Sequence, residues 1–542
     1  MRLRLFFPIL ALTALLVGTV LLASPYAPVV GAFRPIEEIW AIEDERVLSE
    51  TPLVTALSNN NVPLAYDAQQ NTFYCTLGLN HEGEWPDIHL TAPGASGITL
   101  CFTDDYTFDS CDTAIREGYP YEIMAYTDEE YAYFYIVFTG LPVLSVQAQQ
   151  EIGQEDTLIS AQMSAYGEEP LSSYGWMHVR GASTFEAAKS GYLVKFSKGA
   201  GHSKKVIQQV PGFGMADNLV LLPLNYDDTK MRDRLSWDVY SQLAENVASF
   251  GARKSGYVEL FIDGRYEGLY LMLEPYDEEE ELQNTGSMHV LTDSIYRTAV
   301  LSFSRDRLYC DHPRRGNTGF ELYYTQESEA HAFDLLNSYM EMLYEEDDAV
   351  FAQKALACMD IDSIVRMEVL VQGGGLTDNL YNNLYVWASP NGKGVTYRFA
   401  PWDMDLTWGL KKEDIGELYE NWMTFGVFDR MIALDVGGIR AKLCDAWQTW
   451  RKTAFSEEEI AKRIEQYTFE LNESGAMRRN AERWGLEMSY ADGYEIISYC
   501  AVRFALLDGL FAAMAASPEV GNDFLTSATF EQKAVPIGEF SL

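Results

Sequence analysis

Pro401-Trp402-Asp403-Met404-Asp405-Leu406-Thr407-Trp408-Gly409 sets two carboxylates between two tryptophans, and about twenty residues upstream lies Asp378, with Asn383 five positions after it. Phosphoryl transfer of the protein-kinase type needs this set of groups. One acid orients the attacking hydroxyl, while the amide and the later acid hold the magnesium that bridges the nucleotide phosphates. Magnesium is a hard ion that takes oxygen ligands, so Asp and Asn suit it where Cys and His would not. The His-Arg that usually precedes the first acid and the Phe-Gly that usually follows the last are absent, so support has to come from the rest of the chain.

The chain has 542 residues, with 40 Lys and Arg against 80 Asp and Glu, for a net charge of −40. That length exceeds what a single hydrophobic core spans and implies two to four domains. The charge excludes nucleic acid as a partner, because phosphate binding needs clustered Lys and Arg. It also disfavours docking of the globular part on an anionic membrane. No Gly-x-Ser-x-Gly elbow or His-Glu-x-x-His pair is present, and the seven histidines are scattered without metal-ligand spacing, His178 among them. Seven cysteines (75, 101, 111, 310, 358, 444 and 500) form no C-x-x-C pair, which argues against zinc. Cys101 and Cys111 flank a polar loop and are the one candidate pair for a disulfide in an oxidising compartment.

Met1-Arg2-Leu3-Arg4 is a short positive region followed by nineteen apolar or small residues, Leu5 to Ala23, with no further charge until Arg34. This run reads as an export segment over residues 1–30, either a membrane anchor with its arginines in the cytoplasm or a cleaved signal peptide. Residues 31–145 alternate short apolar runs with Gly, Pro, Asn and Asp clusters and read as a small β-rich domain of binding or spacer type. From about 146 the pattern changes to strands, one amphipathic helix over Thr229–Val247, and a tight hairpin at Asp263-Gly264. After Gly409 helices dominate. Ser456-x-x-Glu459 is a capping box, and Ile460, Ile464, Tyr467 and Leu471 mark the buried stripe behind it. The expected fold is α+β: an atypical two-lobed protein-kinase-like domain over 146–526, with lobes of about 146–276 and 277–526, and a loose tail over 527–542.

Six segments, in order, resemble the CotH kinase-like family, named for a spore coat protein. They are Arg180-Gly181-Ala182-Ser183-Thr184, Tyr192-Leu193-Val194-Lys195-Phe196, Leu221-Leu222-Pro223-Leu224-Asn225-Tyr226, Met231-Arg232-Asp233-Arg234-Leu235, Val258-Glu259-Leu260-Phe261-Ile262-Asp263-Gly264-Arg265-Tyr266-Glu267-Gly268-Leu269-Tyr270, and Pro401 to Gly409. The resemblance implies an exported or surface-attached kinase that uses ATP and Mg²⁺ or Mn²⁺ to phosphorylate Ser or Thr of a surface or coat protein. Carried onto this chain, it makes Asp378 the catalytic acid and Asn383 and Asp405 metal ligands, with Asp403 a metal or structural neighbour. Lys195 would reach the nucleotide phosphates with Arg180 nearby, and Asp233 and Asp238 are the two candidate carboxylate partners of Lys195.

Three departures from the family pattern stand out. Ala182 replaces an Asn, Lys189-Ser190-Gly191-Tyr192 replaces Lys-Lys-Pro-Tyr, and Arg232-Asp233-Arg234 replaces Arg-Asn-Lys. All three are expected on the nucleotide side of the site. Gly373-Gly374-Gly375 just before Asp378 points to a mobile loop. Two alternatives to a kinase follow: a pseudokinase serving as a surface scaffold, and a kinase-fold enzyme that transfers AMP or uses ATP to activate a carboxylate.

Overall fold

The computed structural model describes residues 33–516 except 80–82, 182–186, 202–203, 248–249, 277–293, 299–319, 326–328, 344, 346, 381–382, 391–393, 411–421, 424–426 and 488. The expected export segment over 1–30 and the expected tail lie outside the described residues, as do Cys310, Ala182 and the acidic run 277–281.

Alternation of apolar and polar residues builds the centre of the molecule, a closed seven-stranded barrel. Its strands are β1 (Val143–Ala148), β2 (Thr157–Ser164), β3 (Leu171–Arg180), β4 (Gly191–Ser197), β5 (Asn218–Leu222), β6 (Ser255–Ile262) and β7 (Arg265–Leu273). The order around the barrel is β1-β2-β3-β4-β5-β7-β6. All neighbours are antiparallel except β6 and β1, whose parallel pairing closes the ring. Residues on one face of each strand fill the interior, among them Leu144, Ile159, Met177, Val194, Phe196, Leu219, Val258 and Met272. Period two then turns Trp176, His178, Arg180, Leu193 and Lys195 outward. The β6–β7 turn takes left-handed backbone at Asp263 (φ 50°) and Gly264 (φ 71°), as a two-residue hairpin demands.

On one side of the barrel lies the N-terminal β-rich region, a six-stranded sheet with helix α1 (Ile36–Glu45) against one face and α2 (Cys111–Glu117) against the other. It is packed directly on the barrel through Ala65, Tyr74 and Val137 against Val143, Phe261 and Tyr266. Cys101 and Cys111 are both buried and unpaired, which corrects the expected disulfide. Cys101 points toward Ile39 and Ile42 of α1, whereas Cys111 opens α2 and joins the core on the opposite face of the sheet. Burial pushes the Cys101 thiol up to about 11 and the Cys111 thiol up to about 12.

On the other side are a single helix from within the barrel sequence, α3 (Arg232–Leu243), and a helical region. The latter comprises α4 (Glu329–Leu343), α5 (Asp348–Cys358), α6 (Ile361–Gly374), α7 (Val427–Ala433), α8 (Ile439–Trp450), α9 (Glu457–Glu473), α10 (Ala476–Trp484) and α11 (Tyr494–Ala516). Ser456 caps α9 by accepting the Glu459 amide at 3.2 Å, and Ile460, Ile464, Tyr467 and Leu471 are its buried stripe, as the capping box predicts. Among the described residues α11 is the one helix long and apolar enough to cross a bilayer. Its Phe504, Leu507 and Phe511 are nevertheless core, and its Arg503 is fully buried against Gln372 of α6, so it is packed as a helix of the interior.

A four-stranded sheet carries the hairpin β8 (Leu384–Pro390) and β9 (Val395–Pro401). The three glycines before it do not loosen the chain. Gly373 and Gly374 form the last turn of α6, where a Cβ would lie 2.3 Å from the Phe455 ring and 2.6 Å from Leu376. Gly375 caps that helix at φ 67° with its N–H on the Val371 carbonyl.

Candidate functional site

The β8–β9 hairpin explains why a short acidic cluster can be assembled from residues about twenty positions apart. Leu384 pairs with Pro401, so Asn383 and Trp402 emerge side by side, and the Trp402 amide donates to the Asn383 carbonyl at 2.9 Å. Asn379 ties both ends together, its Nδ2 donating to the carbonyls of Asn383 (3.0 Å) and Trp402 (2.7 Å). Asn383 and Asp403 both adopt left-handed backbone, at φ 54° and 52°, which turns each chain end out of its strand. Asn383 Nδ2 donates to Asp378 Oδ2 at 2.8 Å. The structure therefore brings Asp378, Asn383, Asp403 and Asp405 to one place.

The turn after β9 is held from below. Thr407 Oγ1 donates to the Met404 carbonyl at 2.9 Å, the Trp408 amide donates to the Gly374 carbonyl at 2.6 Å, and Trp408 Nε1 donates to Ser236 Oγ of α3 at 2.8 Å. Met404, Thr407 and Trp408 are fully buried, while Asp403 is exposed and Asp405 half-buried.

Helix α3 also delivers Asp233, which is 3 % exposed and accepts the Met404 amide at 3.3 Å. Desolvation pushes its carboxyl well above the usual carboxylate range, and the charges of Asp405 and Asp403 push it further. Asp405 is pushed up to about 8, first by desolvation and then by Asp403, Asp378 and Asp227. Asp233 is thus a corrected expectation twice over. It is not the partner of Lys195, and its departure from the family pattern falls on the acidic side of the site, not the nucleotide side. The reason is helical geometry: the first turn of α3 faces the Asp403–Asp405 turn. Asp238, one turn and a half further on, is taken by Tyr467 Oη and Ser255 Oγ.

The ground next to Trp402, where this acidic turn begins, is cationic and aromatic. A cavity of about 680 Å³ lies against the outer face of β3, β4 and β5, lined by Trp176, Arg180, Lys195, Lys205, Tyr276 and Trp402 among others. The Arg180 guanidinium sits over the Trp402 ring at 4.8 Å. Lys195 Nζ is 3.2 Å from Asp156 Oδ2, and His178 Nδ1 is 2.6 Å from Asp156 Oδ1. Lys205 lies 3.7 Å from Asp217. Asp156, Lys205 and Trp176 escaped sequence reading because none belongs to a motif. They reach the cavity through strand pairing, in which Trp176 stands opposite Lys195.

The family model for the CotH kinase protein matches residues 177–500, more than half of this chain. The chain belongs to the CotH family. No curated protein matches it. CotH membership makes the protein kinase-like, and that class uses nucleotide and metal in general. The CotH chain described here fits a hard divalent ion in its donor chemistry. Asp378, Asn383, Asp403, Asp405 and Asp233 offer only oxygen acceptors, and among the described residues no basic side chain pairs with the buried Asp233. Among the described residues no three His, Cys, Asp or Glu side chains converge to ligating distance as they stand.

Proposed function

We propose that this CotH protein is an exported, two-lobed kinase that transfers the ATP γ-phosphoryl group to a Ser or Thr hydroxyl of a surface or coat protein. The barrel and α3 serve as the nucleotide-side lobe and the helical region as the acceptor-side lobe. The observation that carries this reading is that Trp402 lines the cavity holding Lys195 and Arg180 and also begins the turn that carries Asp403 and Asp405. The cavity presents Lys195, Arg180 and Lys205, while the turn after Trp402 and helix α3 present Asp405 and Asp233, whose carboxyls are pushed up by burial and by neighbouring acids. Anionic phosphates with a divalent cation between them satisfy both sets of groups at once. Export rests on the apolar run from Leu5 to Ala23.

In this mechanism Asp378 accepts a hydrogen bond from the acceptor hydroxyl and aims its oxygen at the γ-phosphorus. The bond from the new oxygen to phosphorus forms as the bond to the β–γ bridging oxygen breaks, the hydroxyl proton passes toward Asp378, and ADP leaves. Asn383, by donating Nδ2 to Asp378, fixes that carboxylate, and its own Oδ1 with Asp405 and Asp403 would hold the divalent ion. Mg²⁺ or Mn²⁺ held there would neutralise the phosphate charge. Lys195 and Arg180 hold the phosphates from the barrel side, so most of the rate comes from positioning and charge.

The test is the melting temperature of the full-length protein with ATP, with Mg²⁺ or Mn²⁺, and with both, beside Asp405→Ala. Ligand at ~100 times Kd raises stability by about 2.7 kcal/mol. A shift that needs both ligands and disappears in the variant supports the site. No shift under any condition would sink the kinase reading in favour of a scaffold.

A further inference from the structure

A lysine that grips phosphates needs a partner that holds its flexible stem in one direction. Helix α3 does not supply one here: Asp233 accepts the Met404 amide and Asp238 accepts from Tyr467 and Ser255. The carboxylate beside Lys195 comes instead from the chain entering β2. β2, β3 and β4 are consecutive neighbours in the barrel, so Asp156 just before β2, His178 on β3 and Lys195 on β4 meet on the outer face that walls the cavity.

We propose that Asp156 is the positioning residue for Lys195, with His178 as its clamp; the inference rests on the nucleotide reading above. The geometry assigns a separate task to each carboxylate oxygen. Oδ1 accepts from His178 Nδ1–H at 2.6 Å, and Oδ2 accepts from Lys195 Nζ at 3.2 Å. Because a carboxylate only accepts, the His178 tautomer is set with its proton on Nδ1. An ammonium has three N–H donors, so one spent on Asp156 leaves two for phosphate oxygens, and the nucleotide does not have to displace the acid.

Desolvation pushes the Asp156 carboxyl up, but the His178 hydrogen bond and the Lys195 charge outweigh it and hold the group below its ordinary value. Asp156 therefore remains an anion wherever the enzyme works. The three side chains are part-exposed, at 43 %, 22 % and 30 % for Asp156, His178 and Lys195. Ion pairs that open contribute little to stability, which separates an orienting role from a structural one.

The experiment is a double-mutant cycle on the full-length protein, reading the apparent Kd for ATP with Mg²⁺ from ligand-dependent melting shifts. Asp156→Asn should weaken ATP·Mg²⁺ about tenfold, the size of one charge-assisted hydrogen bond, and Asp156→Glu should recover part of that loss. In a Lys195→Ala background Asp156→Asn should add nothing, and the melting temperature without ligand should stay unchanged throughout. Unaltered affinity in Asp156→Asn, or a loss that adds in full to that of Lys195→Ala, overturns the inference while leaving the nucleotide reading intact. A wild-type protein that gives no ATP·Mg²⁺ shift overturns the reading and the inference with it.

Discussion

Three motif segments of this chain carry acids that the fold takes wholly or partly out of water, and the structure treats them in two opposite ways. Glu259, in the β6–β7 hairpin, is fully buried and accepts four hydrogen bonds: from Arg479 Nε and Nη2 at 2.8 Å each, from Tyr266 Oη at 2.6 Å, and from Thr139 Oγ1. Thr139 ends the N-terminal sheet and Arg479 lies on α10, so this one carboxylate joins three regions of the molecule. Asp405 and Asp233 have no such fork. Among the described residues, the stabilising contacts to these carboxyls are backbone amides, Leu406 for Asp405 and Met404 for Asp233, and the charged neighbours that act on them are other acids. A buried acid that the fold itself neutralises is structural. One left beside like charges is held protonated, as the raised Asp405 and Asp233 carboxyls are, unless a cation from outside lets it ionise. The comparison shows that a family motif is not by itself a functional site, because the hairpin motif serves to dock a helix.

The largest expected effect separates the two acids by activity. Asp405→Ala should lower phosphoryl transfer by about 10²–10³-fold while the protein stays folded, measured as ATP-dependent label transfer beside circular dichroism. Equal transfer by the variant would remove Asp405 from the site. Next, Arg479→Ala should cost about 3–5 kcal/mol of stability in denaturant unfolding, because it strands Glu259 in the interior. A loss below about 1 kcal/mol would mean that the rivet is not what holds the regions together.

The pH response should differ in sign from that of an ordinary paired acid. The Asp405 carboxyl stands at about 8 in the folded chain and near 4 when unfolded, so the folded state binds more protons between those values. Stability without divalent ions should therefore fall as pH rises from about 4 through about 8, with Asp233 acting in the same direction. Asp405→Asn should flatten that slope, whereas a profile identical to wild type would show that Asp405 is already compensated. The smallest effect concerns Cys101 and Cys111, which face different cores. Adding a reductant should leave the melting temperature unchanged, and a clear drop would restore the disulfide.

Several parts of the fold were legible because their signals are local. The Asp263-Gly264 turn, the Ser456 cap and the α9 stripe each depend on residues close to one another in the chain, and each stands where its pattern places it. The acidic set was legible for a related reason: both halves flank one hairpin, whose pairing closes the gap between Asn383 and Trp402. The partner of Lys195 was not, since Asp156 and Lys195 lie 39 positions apart and meet only through two successive strand pairings. Gly268 shows the same divide. Its need for φ 100° and for open space against Asn480, 2.6 Å from where a Cβ would sit, arises from a helix more than two hundred residues later.

By itself, then, the sequence determined the identity of the strands and helices, the family, and the kinds of groups that meet at the site, because periodicity, caps and turn chemistry are short-range. Tertiary structure alone decided which acids are neutralised and which are left exposed to their own repulsion. That outcome depends on burial and on charges brought from distant segments, and neither is written in any single stretch of chain.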